Sequence, residues 1–260
     1  MDVAALQAAL IDNVRTWVQI RADVSRRPYG FFVRDPAHPL VYDSNLAWID
    51  SAPEGGPEQV LDDLEAEFGT EVPHRVVWFG DADLAYAYQD AFVAARCQAQ
   101  AELVMAKVGL PSCIVNPDVA IREVGWGAPE SDLQLVRTTL HRESGYPEEV
   151  SRQVDDVERI RRHTLGQRAF VGYVRDEPAA TYTLWPRGIF GHIDRVGTRP
   201  AFRMQGVGRT MIFHACTTAT TARCEYVLLT TDRFDTPQAM YKTLGFEPVG
   251  ELRGFLRPNQ

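Results

Sequence analysis

The stretch Val196-Gly-Thr-Arg-Pro-Ala-Phe-Arg-Met-Gln-Gly-Val-Gly-Arg-Thr210 decides how this 260-residue chain is read. It takes an apolar strand through Arg203-x-x-Gly206-x-Gly208 into an amphipathic helix. Glycines at 206 and 208 let successive backbone N–H groups converge without a Cβ between them, and the helix dipole adds positive charge at the same point. Such a turn can cradle a diphosphate, with Arg203, Arg209 and Thr210 as added side-chain donors. Alone, the pattern equally fits a glycine-rich turn that holds no ligand.

Outward from this turn, strands are expected at Val119–Val124, Arg168–Arg175, Ala179–Trp185 and Ile189–Thr198. Asp176-Glu-Pro178 and Pro186-Arg-Gly188 separate the last three, which suits an antiparallel meander. Helices are expected at Pro129–Arg142, Pro147–His163, Gly206–Thr221 and Thr236–Leu244, with strands at Tyr226–Thr231 and Glu247–Leu256. In the first half, Val3, Leu6, Leu10, Ile11, Val14, Trp17 and Val18 fall at helical spacing. Strands follow at Tyr29–Arg34, Leu40–Ile49, Arg75–Phe79 and Ala101–Val108, with helices at Pro57–Phe68 and Asp81–Cys97. Both halves therefore end strand, helix, strand, helix, strand, as a duplicated domain would. The connector Gly109–Pro117 places a boundary between residues 1–115 and 116–260.

Charge divides with the halves. Residues 1–117 carry 17 acids against 8 bases, and residues 118–260 carry 18 against 19. An anionic cofactor would find the second half the more favourable host. Overall the chain is acidic, at −8, which disfavours nucleic acid as a partner. No apolar run is long enough to span a bilayer, and the opening Met1-Asp2-Val3 lacks the base of an export signal, so a cytoplasmic protein is expected. The four cysteines (Cys97, Cys113, Cys216, Cys224) form no CxxC pair and no zinc spacing with histidine, so they read as buried thiols and no metal is expected.

Thr198-Arg-Pro-Ala-Phe-Arg203-Met-Gln-Gly206-Val-Gly208 resembles the acyl-CoA loop of the GNAT superfamily of N-acetyltransferases. Met240-Tyr241-Lys-Thr-Leu-Gly245-Phe246 resembles the same superfamily's C-terminal motif. Two motifs in the right order extend the resemblance over roughly residues 118–258. It implies an α/β (α+β) fold with a mixed central sheet flanked by helices, here duplicated in tandem. It also implies acetyl-CoA as the acyl donor and a small primary amine as the acceptor, joined by direct attack on the thioester. The backbone of Val196, Gly197 and Thr198 would then pair with the pantetheine amides like an added strand. The loop Met204, Gln205, Gly206, Val207, Gly208, Arg209 and Thr210 would hold the diphosphate, and Tyr241 would protonate the leaving thiolate. A phenol stays protonated at neutral pH, as an acid must.

His192 and Asp194 stand two apart on the strand entering the loop, where some members carry a base, and they share one strand face. Imidazole is better matched to neutral pH; Asp194 could orient it, bind the cationic amine, or relay through water. Both could equally be structural polar contacts. One departure is plain: Asp232-Arg-Phe-Asp-Thr-Pro-Gln238 has no asparagine where many members place one. In the first half the loop's place is taken by Asp50-Ser-Ala-Pro-Glu-Gly-Gly-Pro-Glu58, rich in acid and proline. That half reads as a degenerate partner that covers a sheet edge, walls the substrate cleft and steers cations through Asp50 and Glu54. Tyr86, Tyr88 and Phe92 read as core. An acyl-CoA-binding module without catalysis, or an enzyme acting on protein N-termini or lysines, would fit the same motifs, as would a monomer or a homodimer.

Overall fold

The computed structural model describes residues 2–233 and 237–258. Two compact units emerge: one is Val3–Leu103 with the chain from Gly250 onward, the other Val104–Val249. The connector at 109–117 thus lies inside the second unit's sequence, and the C-terminal residues group with the first half. Strand pairing explains this, because the chain's last strand runs antiparallel to one in the first half, with Phe255 opposite Val77.

The first unit contains α1 (Val3–Val18), β1 (Asp23–Arg27), β2 (Gly30–Arg34), β3 (Leu46–Ile49), α2 (Gly56–Phe68), β4 (Arg75–Phe79), α3 (Ala82–Ala94) and the start of β5 (Gln98–Val108). It closes with the end of β11 (Glu247–Arg257), in the strand order β1-β2-β3-β4-β11. β1, β2 and β3 are antiparallel neighbours; α2 then carries the chain across so that β4 runs parallel to β3. Val60, Leu64 and Phe68 bury the inner face of α2, and Asp81 caps α3 by accepting from the Asp83 amide at 2.9 Å. Phe255, delivered by β11, stacks on Phe92 with ring centroids 4.5 Å apart and packs edge-on against Phe79.

Three expectations here need correction. β1 escaped notice because Asp23-Val-Ser-Arg-Arg27 carries no apolar alternation and lies largely at the surface. The strand expected from Leu40 begins only at Leu46, because Asn45 donates to the carbonyls of His38 and Val41 and holds Tyr42–Ser44 in a tight turn. Tyr86 is not core: it is half exposed, its ring lies under the Arg253 guanidinium at 3.7 Å, and its hydroxyl accepts from the same group. Phe92 is fully buried, as expected.

The second unit comprises the rest of β5, then β6 (Val119–Glu123), α4 (Glu130–Glu143), α5 (Glu148–Leu165), β7 (Arg168–Val174), β8 (Glu177–Arg187) and β9 (Phe190–Thr198). It continues through α6 (Val207–Thr221), β10 (Tyr226–Asp232), α7 (Pro237–Thr243) and the first residues of β11. β7 to β9 form the expected antiparallel meander, β6 pairs antiparallel with the other edge of β7, and α6 returns the chain to β10, parallel to β9. The succession of antiparallel strands, crossover helix and parallel strand thus occurs in both units. Each is a mixed sheet with helices.

α5 departs from the expected apolar stripe. Of Val150, Val154, Val157 and Ile160 only Val157 is fully buried, whereas Ser151, Gln153, Glu158, Arg161 and Arg162 are buried too. This face is a charged network, and apolar periodicity does not register such a surface.

Phe255 fills space within an aromatic cluster, so Phe255→Ala should leave a cavity and cost about 3–5 kcal/mol. Thermal unfolding should show the loss in the first unit, with the second unit's transition little changed.

Candidate active site

The parallel pairing of β9 with β10 covers three positions only: Phe190 with Tyr226, Gly191 with Val227 and His192 with Leu228. Beyond His192 both strands continue, β9 to Thr198 and β10 to Asp232. Among the described residues no further pairing joins them, so their facing edges open into a fork. The other edge of β9 stays bonded to β8 as far as Thr198, opposite Ala180. Ile193–Thr198 therefore presents a row of backbone groups that an amide-bearing ligand could join as a strand. Val196, Gly197 and Thr198, the residues named for that role, lie on this edge.

The glycine-rich turn stands beyond the end of that edge. Gly206, at φ 76°, is the N-cap of α6. Met204 also takes a left-handed φ of 58° and is fully exposed. Among the described residues the amides of Met204 to Arg209 have no backbone acceptor, and the first amides of a helix have none within it. Six successive donors at a helix N-terminus make an anion cradle. Gly208 lies where β9, α6 and α7 meet: a Cβ there would be in ordinary contact with Thr198 Oγ1 at 3.5 Å and the Met240 sulfur at 3.6 Å.

Side chains divide less simply than the motif suggests. Arg209 is exposed, has no hydrogen bond or ion pair among the described residues, and is available to an anion. Arg203 is engaged: its guanidinium donates to both oxygens of Glu143 at 2.6 and 2.5 Å, and its Nε to the Thr198 carbonyl. Thr210 is no free donor either. Its hydroxyl donates to the Gly206 carbonyl and accepts from the Asn116 amide at 2.8 Å. Asn116 Nδ2 also donates to the Gln205 carbonyl at 2.8 Å, so the connector residue clasps both ends of the turn. Neither Asn116 nor Glu143 was legible as a partner of the loop, since they lie 94 and 60 residues from the groups they hold.

At the fork, His192 is buried and Asp194 half-exposed. Gly191 faces α6, where a Cβ would come within 2.9 Å of Ala219, so the pleat turns His192 and Asp194 to the opposite face, toward α4 and α5. Arg195 follows with φ 52°, and the four residues of β9 from Asp194 to Gly197 oppose the three of β8 from Thr181 to Thr183, a β-bulge. The bulge puts Gly197 on the α4 face as well, where a Cβ would strike Leu140. Burial holds the His192 imidazole below its ordinary range, against a smaller upward pull from Asp194. Desolvation pushes the Asp194 carboxyl up, but Arg195, His192, the Arg195 amide and Arg137 together hold it below the usual value. At neutral pH the pair is a neutral imidazole beside a carboxylate.

Tyr241 lies buried in α7, edge-on to Phe246 at 5.9 Å, one residue from the Met240 that touches the turn. The stretch Asp232–Gln238, which lacks the asparagine, falls partly outside the described residues, at 234–236. Cys97, Cys216 and Cys224 are buried, with Cys113 partly so, and all four are free thiols.

Residues 135–246 match the model of the acetyltransferase (GNAT) family. The second unit is a GNAT acetyltransferase domain. The chain is accordingly an acyltransferase, and GNAT enzymes take acetyl-CoA as donor. Among solved structures, a conserved protein of unknown function from Staphylococcus epidermidis aligns at TM-score 0.69 and 19% identity, covering 93% of this chain and 96% of its own. A GCN5-related N-acetyltransferase from Kribbella flavida aligns at TM-score 0.66 and 15% identity, covering 100% and 97%. A tandem GNAT protein from the clavulanic acid biosynthesis pathway aligns at 0.58 and 12%, covering 95% and 88%. These likenesses are of fold. No curated protein matches the chain. Among the described residues no helix is long and apolar enough to cross a membrane, and no group of metal-binding side chains occurs.

At the matching position of the first unit, between β3 and α2, several donors are already occupied. The amides of Asp50 and Ser51 donate to the Tyr29 carbonyl, that of Gly56 to Pro53, and that of Gly55 to Gln59 Oε1 at 2.9 Å. The Asp50 carboxylate is paired with Arg15 at 2.5 Å and accepts from Trp48 Nε1, so its charge is largely spent within the unit.

If Asn116 keeps the GNAT turn in its donor-forward shape, Asn116→Ala should weaken acetyl-CoA binding about five- to tenfold, on the order of one or two lost hydrogen bonds. Calorimetry would read it. The melting temperature should fall only slightly.

Proposed function

We propose that the protein transfers the acetyl group of acetyl-CoA to the primary amine of a small molecule, by direct attack of the amine on the thioester. The fork between β9 and β10, with free amides at the head of α6, is the observation that carries this reading. A pantetheine arm laid against Val196–Thr198 would bring its thioester toward His192, while the diphosphate met the amides of Met204 to Arg209 and the Arg209 side chain.

The acceptor arrives as an ammonium and must lose a proton before its lone pair can form the C–N bond. Asp194, half-exposed and ionised, receives the ammonium; His192, neutral, takes the proton directly or through water. The new C–N bond forms as the C–S bond breaks, and Tyr241 gives its phenolic proton to the departing thiolate. No covalent acyl-enzyme is required, and the buried Cys216, whose thiol burial pushes up to about 12, is ill suited to form one.

The first unit contributes no second acyl-CoA site in this reading, because the stretch between β3 and α2 is acidic and the amides of Asp50, Ser51 and Gly55 in it are already bonded within the unit. Calorimetric titration with acetyl-CoA should therefore give one site per chain. Gly206→Glu should abolish it, while Gly206→Asn, which tolerates the left-handed region, should keep most of the affinity. Two sites, or none, would defeat the assignment.

Two kinetic outcomes follow from the roles. Tyr241→Phe should lower kcat about 10- to 100-fold with acetyl-CoA affinity unchanged. Because burial disfavours the imidazolium, His192 stays neutral to below its ordinary pKa. The acidic limb of kcat/KM should then fall below pH ~6.5, and His192→Gln should remove it.

A further inference from the structure

Arg203 stands at the edge of the anion cradle, yet its charge is directed elsewhere. It directly precedes Met204, the first of the six free amides, and its guanidinium grips both oxygens of Glu143 at 2.6 and 2.5 Å. Glu143 is the last residue of α4, where the helix dipole disfavours a carboxylate and a facing cation offsets it. Among the described residues neither side chain has a second ion-pair partner. Arg203 Nε donates to the Thr198 carbonyl at 3.0 Å. One nitrogen thus moors the guanidinium beside the turn, and the outer two are open to whichever anion lies in reach.

This pair differs in kind from the charges under β9. There Arg137 and Glu158 meet at 2.5 Å with each side chain only 7% exposed, and Arg195 Nε bonds the other Glu158 oxygen at 2.7 Å. Parting any of those strands a buried charge. Arg203 and Glu143 are 46% and 39% exposed, and in water such a pair contributes little, so either member can leave it. A diphosphate carries more charge and more acceptor oxygens than one carboxylate, and makes the stronger partner for a guanidinium.

We propose that Glu143 is a built-in competitor of acetyl-CoA: it occupies the Arg203 guanidinium in the free protein, and the diphosphate must take that guanidinium from it on binding. Glu143 is thus a positioning residue that acts on the cofactor through Arg203. The exchange runs backwards when CoA leaves, so Glu143 weakens retention of the product as much as capture of the donor. The inference rests on the reading above that the diphosphate meets the amides of Met204 to Arg209.

A double-mutant cycle read by calorimetric titration with acetyl-CoA tests it. Glu143→Gln should tighten binding about two- to fivefold, the strength of an exposed ion pair, and should tighten CoA by the same factor. Arg203→Gln should weaken both ligands. In the Arg203→Gln background Glu143→Gln should add nothing, because the contested cation is gone. Both side chains lie at the surface, so neither substitution leaves a buried orphan. A pair that merely braces the turn gives the opposite sign, since losing Glu143 would then loosen the cradle and weaken binding. A gain of equal size with and without Arg203 would mean that Glu143 acts on the diphosphate only through space. Either result, or an unchanged affinity in Glu143→Gln, overturns the proposal. Gly206→Glu separates the two levels: if it leaves acetyl-CoA affinity intact, the diphosphate lies elsewhere and both readings fall. If it abolishes binding and the cycle shows no coupling, only the competitor role falls.

Discussion

Everything at the site depends on a pairing that stops. Two parallel strands that stayed bonded along their length would satisfy each other's backbone groups and leave nothing to a ligand. Here the ladder ends at His192 and Leu228, while the meander holds β9 rigidly from its other edge. One strand is thus half in a sheet and half a template. The bulge at Arg195 and the left-handed turns at Met204 and Gly206 carry the chain from that template into α6.

The site joins two kinds of electrostatics. At the head of α6 the charge is partial and comes from the backbone, a preorganised set of amides with Arg209 beside them. Under β9 it is formal and comes from side chains, a buried alternation of arginine and carboxylate between α4, α5 and the strand. The first suits a strongly hydrated anion that approaches from solvent. The second cannot relax once its members are buried, so it fixes the geometry of the two groups at the fork.

Much of the second unit was legible in sequence because its signals are local. The glycines at 206 and 208, the proline- and glycine-bearing turns of the meander and the tyrosine before Gly245-Phe246 each act within a few residues. What escaped was non-local or unpatterned. Asn116 and Glu143 act on the turn across 60 or more residues. β1 has no alternation to detect, and the polar inner face of α5 looks from sequence like a solvated one. Arg203 shows the converse: its motif position was clear, but only the fold reveals that Glu143 already holds its guanidinium.

The placement of Phe255 bears on how the chain is made. The first unit is synthesised first, yet the ring that stacks on Phe92 and abuts Phe79 lies in the last strand. At ~5–20 residues per second, the 163 positions from Phe92 to Phe255 separate the two halves of that stack by roughly 8–30 s of translation. Throughout that interval the first half has an open core and one unpaired strand edge at β4. On the ribosome, its completion waits for the emergence of β11.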